Sequence, residues 1–590
     1  MRVRELKINN FRGIEELNWQ IPSDKKLICL IGSGDVGKTT VLEALNWLLG
    51  DRWNIPISVC DFNDEEKPIS IEAVLDNLPD KLLQIERFGL FLSGVHDDGT
   101  MTEDPDDGTG ECLIVRLVID GSMEPVWSAT KYGRDEEKLF TVSDRRELGV
   151  CKLDDRVDMH LRWSQNSALG KISRESEGAK SAMHLATSAA REALRGTALP
   201  DKFKKILNDV KNKSQGYGAA RYGEMAPGID LSSASSYGGI ALYSDAIPLM
   251  NYGLGTRRLT SLAVQRMSTA NKATFLVDEI ESGLEPHRIR RLIQILRDDN
   301  EVAQVFITTH SNVAVEFCAS NDLAVVTDCG ASSSIRFVST DLEALHRRAP
   351  SSFLARRILV VEGKTEEGLL KALCVEWDDM RSKQGEPVSA ALGSVVCQGS
   401  GGDSACVTAG SFLGLGYEVG LLVDSDVPEI CTKAEALREL GVDVYRWHDE
   451  SKIERALMRE LSKTELLSLM SYVIDEDVCS REKVFSDLHA CGIDDAVCDM
   501  EFESWSNIDV ETMRESISAA STRKSQKGKD IGWFKSFSRG ELLGEWIIRN
   551  RKTSSTFCPE FCGVLESVAK DFIYRGDLQD VQMDLLEQEH

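Results

Sequence analysis

Two short runs of this 590-residue chain place carboxylates where a metal could be held: RILVVEGKTEE over 357–367 and GLLVDSD over 420–426. Each starts as an apolar strand and ends in acids. Glu362 follows the strand 358–361, and Glu366 stands four residues on, one turn along the helix expected to follow. Asp424 and Asp426 are two apart at a strand end, so side-chain alternation predicts that both point to one face. Hard carboxylate oxygens gathered at the carboxyl edge of a parallel sheet suit Mg2+ or Mn2+. Two such ions together stabilise the attacking and leaving oxygens of a phosphodiester under displacement.

A second chemistry lies near the N-terminus. An apolar strand over 26–31 runs into GSGDVGKT at 32–39, followed by an amphipathic helical pattern over 41–49. Gly32, Ser33, Gly34, Asp35, Val36, Gly37, Lys38, Thr39 and Thr40 thus form a P-loop with the strand before it and the helix after it. Its glycines let backbone N–H groups close on the phosphates of ATP at a helix N-terminus. Lys38 is expected at the β- and γ-phosphates and Thr39 on Mg2+. Much later ATFLV at 273–277 is a buried strand ending at Asp278 and Glu279. Asp278 is expected to hold Mg2+, and Glu279 to polarise the attacking water. The strand 304–309 then ends at His310, placed to sense the γ-phosphate.

The elements that must position these groups are those of an α/β protein. Alternating strands and helices over 357–446 predict a small parallel sheet with carboxylates at its strand ends. Two domains are expected, an ATPase domain over 1–345 and a metal domain over 355–590. Short amphipathic segments, such as 181–194 and 202–210, predict a helical, dimerising insertion over about 165–225. Residues 460–520 read as a further helical addition, and no heptad pattern is sustained between the P-loop and 251.

Composition narrows the partners. A net charge of −27 excludes non-specific coating of nucleic acid, because phosphate affinity comes from Lys and Arg. It leaves room for DNA held at local basic patches, of which 522–529 is the richest. No run is long and apolar enough to span a membrane, and the first residues lack a signal-peptide core, so a cytoplasmic protein is expected. The fifteen cysteines show no CxxC pairing and read as reduced thiols, Cys558 and Cys562 included.

The P-loop, Asp278–Glu279 and His310, in this order, resemble the ABC-type ATPases of the RecF and SMC group. That resemblance implies that Arg12, in LKINNFRG, approaches the nucleotide. It places NYGLGTR at 251–257 in the signature-loop position, although the usual Ser-Gly-Gly core is missing. Gly253, Gly255 and Thr256 would then meet ATP bound to another copy, implying a homodimer or higher homo-oligomer.

Glu-Gly after one apolar strand and Asp-x-Asp after another resemble the TOPRIM fold. A TOPRIM domain behind such an ATPase is similar to the OLD (overcoming lysogenisation defect) family of nucleases, which includes anti-phage Gabija and retron-associated members. The resemblance implies an ATP-regulated, divalent-metal-dependent DNA endonuclease, and a partner from a defence system, protein or nucleic acid. It implies that Glu362, Glu366, Asp424 and Asp426 hold two ions, with Glu454 as a later acidic ligand. It also implies a lysine that stabilises charge on the scissile phosphate, for which Lys529, in KGK before WFKS, is chosen. The competing expectation is a RecF-like, nucleotide-switched DNA-binding or loading protein whose TOPRIM domain is structural.

Overall fold

The computed structural model describes residues 1–575 except 53–54, 107, 154–156, 165–166, 176–200, 220–221, 231–238, 270–271, 329–331, 449, 494–504, 506–507 and 524–531. The chain divides into two compact units, Met1–Leu354 and Ala355–His590.

Among the described residues the first unit holds three sheets, two of them large and one a four-stranded antiparallel sheet that includes Arg162–Trp163, Met225–Asp230 and Gly239–Ser244. Leu27–Ile31 is apolar and buried along its whole length, as a strand covered on both faces must be. It lies inside a six-stranded sheet, in the order Val150–Leu153, Ala273–Val277, Val302–Thr308, Leu27–Ile31, Leu323–Asp328, Ser333–Phe337. All neighbours are parallel except the last pair. The strands ending at Ile31, Val277 and Thr308 therefore present their carboxyl ends on one edge.

An eight-stranded antiparallel sheet, with Arg2–Phe11, Ile14–Gln20, Ile69–Asp76 and Gly110–Ile119 as its long strands, shares one apolar core with the helix Lys38–Leu49. A smaller cluster joins the helix Asp201–Gly216, through Phe203, Leu207 and Val210, to Leu242 and Val264. The segment 181–194 lies outside the described residues.

The second unit centres on a four-stranded parallel sheet in the order Ser394–Gln398, Arg357–Val361, Glu418–Val423, Asp443–Arg446. The two acid-bearing strands are neighbours, so Glu362 and Asp424 leave the sheet side by side. The helices Lys463–Asp475, Arg481–Ala490, Val510–Ser521 and Phe537–Thr553 enclose a large apolar core on this sheet. Helix Lys364–Gln384 meets Phe537–Thr553 at unusually short range: a Cβ on Gly540 would lie 2.4 Å from the Thr365 carbonyl oxygen, and one on Gly368 would lie 2.1 Å from that of Phe537. Only glycine permits that approach.

Candidate functional sites

In the first unit the loop after Leu27–Ile31 turns through left-handed conformations at Asp35 (φ 61°) and Gly37 (φ 93°), and Gly37 caps the helix Lys38–Leu49. Lys38 reaches back to donate to the carbonyls of Gly32 at 3.1 Å and Ser33 at 2.6 Å, so its ammonium sits in the mouth of its own loop. Burial pushes its pKa down to about 8, against the pull of Asp35, Glu281 and Asp278. Thr39 Oγ1 donates to Asp278 Oδ1 at 3.1 Å, which brings the two expected Mg2+ ligands together.

Thr308 Oγ1 also donates to Asp278 Oδ1, at 2.7 Å, and accepts from the Glu279 amide at 2.8 Å. Buried Arg258 donates to the carbonyls of Asp278 at 2.6 Å and Glu279 at 3.0 Å. These contacts hold Glu279 at a φ of 45°, a conformation costly for a side chain of its size. Glu279 itself is exposed at the edge where the phosphate loop opens.

Glu281 fixes the next strand end by accepting from Thr309 Oγ1 and from the His310 amide, both at 2.6 Å, while His310 stays exposed. No local motif assigns Thr308 or Arg258 to this site, whereas the acid-rich run DEIES at 278–282 is a signal for Glu281.

Arg12 occupies the turn after Arg2–Phe11 at a φ of 53°, over the rings of Phe11 and Trp47, and donates through Nε to Asp61 Oδ1 at 2.8 Å. Its guanidinium is thus engaged by Asp61. Gly253, at the start of the helix Leu254–Met267, is open. Gly255 and Thr256 are buried in their own unit, and a Cβ on Gly255 would lie 2.1 Å from the Gly283 carbonyl oxygen. Of the three, Gly253 is the position left open to a second copy.

In the second unit, Glu362 Oε2 accepts from the Asp424 amide at 3.0 Å, and Asp424 Oδ1 accepts from the Ile453 amide at 3.1 Å. The second bond ties the start of the helix Ile453–Glu460 to the sheet edge and turns Glu454 inward, 1% exposed. Lys535 Nζ stands 2.8 Å from Glu454 Oε1, yet neither Glu454 oxygen receives a hydrogen bond of good geometry. Burial and the neighbouring Glu454 raise the Glu366 pKa to about 7. Burial, then Glu366, Glu362 and Glu454, push Asp424 well above the usual carboxylate range. Burial opposes the Lys535 charge, but Glu454, Glu366 and Asp424 outweigh it and raise that pKa.

The structure therefore gathers Glu362, Glu366, Asp424 and Glu454 about one lysine. Asp426 is paired with Lys452, whose Nζ lies 3.6 Å from its Oδ2. The strand ends at Val423, so the two-residue alternation no longer applies beyond it. Lys529 lies outside the described residues. Among the described residues Lys535, six residues later and preceded by the buried Trp533 and Phe534, is the lysine beside Glu454.

Among the described residues, no three His, Cys, Asp or Glu side chains are grouped to hold a metal ion as they stand. The donor set still fits a divalent ion in kind: three carboxylates, Glu454, Glu366 and Asp424, act on one ammonium, and the most buried of them receives no hydrogen bond of good geometry.

The raised Glu366 pKa has a consequence for stability. Between the ordinary carboxyl value of 4.5 and about 7, the folded chain keeps a proton that the unfolded chain has released. Stability therefore falls as pH rises across that interval, by a few kcal/mol at most. In metal-free buffer, Glu366→Gln should flatten the decline in melting temperature of the second unit between pH 5 and pH 8. An equal decline in both proteins would show that Glu366 does not titrate there.

Comparison with known families bears on the first unit. Residues 1–216 match the AAA ATPase domain, and residues 131–316 match an AAA domain described with the AbiEii toxin of type IV toxin–antitoxin systems. The first unit thus carries an AAA-family ATPase domain, in keeping with the phosphate loop and the paired Thr39 and Asp278. No curated protein matches the chain.

Among solved structures the chain is similar to an Smc head bound to the C-winged helix domain of ScpA, at 15% identity and TM-score 0.37, covering 58% of this chain and 98% of that one. It is also similar to an Smc head with an extended coiled coil bound to the C-terminal domain of ScpA derived from Pyrococcus furiosus, at 14% identity and TM-score 0.35, covering 57% and 96%. A third is the SMC head domain from Thermotoga maritima, at 13% identity and TM-score 0.29, covering 58% and 100%. Among the described residues no helix is long and apolar enough to cross a membrane.

Proposed function

We propose that the chain is an ATP-regulated, divalent-metal-dependent DNA endonuclease of the OLD type, whose second unit is a TOPRIM domain. The observation that carries this reading is the meeting of Glu362 and Asp424, at adjacent strand ends of a parallel sheet, with Glu366 and Glu454 from two helices and with Lys535. A purely structural role leaves that cluster without purpose. Burial first, and then repulsion between neighbouring carboxylates, raises the pKa values of Glu366 and Asp424.

Glu362, Glu366, Asp424 and Glu454 would hold Mg2+ or Mn2+, with Asp426 at the rim. When bound, the metal supplies Lewis-acid charge and an activated water. Lys535 places a positive charge beside the carboxylates, where charge builds on a scissile phosphate. Asp424 orients Ile453 and so keeps Glu454 turned into the site.

In the first unit Lys38 and the loop amides bind the phosphates of ATP, Thr39 and Asp278 hold its Mg2+, and Glu279 orients water. Glu281 places His310 at the strand end. Gly253, at an open helix N-terminus, is where a second copy would meet the nucleotide, making the enzyme a homodimer or larger. Anti-phage defence is the setting, with a further protein or nucleic acid as trigger.

The test is metal withdrawal and return on the full chain. Supercoiled plasmid should stay intact in EDTA and be nicked or linearised when Mg2+ or Mn2+ is restored, with a rate that responds to ATP. A plasmid left intact under both metals, with and without ATP, would remove the nuclease reading and favour the RecF-like loader.

A further inference from the structure

The helix Ile453–Glu460 has two unlike faces. Ile453, Glu454, Leu457 and Met458 are buried, while Arg455 and Arg459, four residues apart, are exposed on the other side. Lys452, just before the first turn, lies against Asp426. A chain with a net charge of −27 thus sets a basic ridge on the far side of the helix from buried Glu454, on an element whose first amide is bonded to Asp424.

Arg459, at one end of the ridge, borders a groove. One part, of about 440 Å³, is lined by His448, Arg459 and Arg514, and an adjoining part, of about 580 Å³, by Ser425, Arg446 and His448. Ser425 sits between Asp424 and Asp426, so the groove ends at the candidate catalytic edge. Of the acids on its walls, Glu460 is already committed: its carboxylate accepts from the amides of Glu560 and Phe561 at 2.9 and 2.6 Å, capping the helix Pro559–Val568. Glu450 and Glu560 remain on the rim.

We infer that this ridge and groove bind the phosphate backbone of a nucleic-acid strand and lead it to the carboxylates, with Arg455 and Arg459 as the main phosphate contacts. Cations spaced along one helix face track a polyanion, and the contact is sequence-independent because phosphates carry no base information. Direction favours nucleic acid over an acidic protein: a strand laid along the groove arrives at a site suited to phosphodiesters. The substrate class rests on the nuclease reading, whereas the surface does not.

The test measures binding without cutting. A fluorescein-labelled DNA oligonucleotide is titrated with the full chain in EDTA over a series of salt concentrations. Arg455→Ala/Arg459→Ala should weaken binding about tenfold or more at low salt and lower the salt slope by about two, one for each lost phosphate contact. Lys204→Ala/Lys205→Ala, which removes the same charge from an exposed helix of the first unit, should bind as the wild type does. Matching melting curves confirm that both variants fold.

Equal effects in the two double variants, no effect in either, or no binding by wild type would overturn the surface. Labelled poly-glutamate held as tightly as DNA, with the same dependence on Arg455 and Arg459, would overturn its assignment to nucleic acid. A chain that cuts plasmid while Arg455→Ala/Arg459→Ala binds normally loses the surface and keeps the nuclease reading. One that binds through these arginines but never cuts loses the reading and keeps the surface.

Discussion

Glu362→Ala should lower metal-dependent plasmid cleavage about a hundredfold or more, the scale on which losing one group aimed at developing charge acts. ATP hydrolysis should persist. Glu362 does two jobs: its charge belongs to the carboxylate cluster, and its Oε2 accepts the Asp424 amide. Alanine removes both, and leaving that amide unpaired costs about 1–3 kcal/mol.

Glu362→Gln separates the two, since its amide oxygen can still accept from Asp424 while the charge is gone. Both variants should be inactive, with Glu362→Gln the more stable. Cleavage at the wild-type rate in Glu362→Gln would take this carboxylate out of the reaction. The complementary variant, Lys38→Ala, should lose ATP binding, because the ammonium in the mouth of the phosphate loop is gone. Whether cutting then rises or falls reads the sign of the nucleotide's control directly.

The second large effect is expected at Lys535. Methionine keeps much of its length and apolar stem but not its charge, leaving Glu454 buried without its ion-pair partner. Breaking a buried pair from one side costs about 3–5 kcal/mol. In metal-free buffer Lys535→Met should therefore melt well below wild type, and cleavage should fall by about 10²-fold or more.

Lys535→Met/Glu454→Gln tests the pairing. With the uncompensated charge removed, much of the stability should return, and the two changes should be strongly non-additive. Cleavage should not return. Full activity in the stable double variant would make Lys535 a structural counter-ion and nothing more.

The parts of the molecule legible in the sequence are those made by contiguous residues. The phosphate loop announces itself because strand, glycines, lysine and helix follow one another within a short stretch, and Asp278 and Glu279 follow an unbroken apolar strand. Glu362 and Asp424 were readable for the same reason.

Lys535 was not, because it reaches the carboxylates through the close packing of Lys364–Gln384 on Phe537–Thr553. That contact depends on Gly368 and Gly540, glycines well separated in the chain and silent in any local pattern. Lys529 follows from the resemblance alone, whereas Lys535 sits directly after Trp533 and Phe534, residues that must be buried. Asp426 lies past the strand end at Val423, where alternation no longer fixes the face of a side chain.

The bond from the Asp424 amide to Glu362, and that from the Ile453 amide to Asp424, place two main-chain hydrogens on the oxygens that a ligand would draw upon. Isotope labels at these two positions would therefore act as resident gauges of occupancy. Their resonance frequencies and deuterium uptake would register what enters the site, at metal concentrations too low for turnover and in variants that no longer cut.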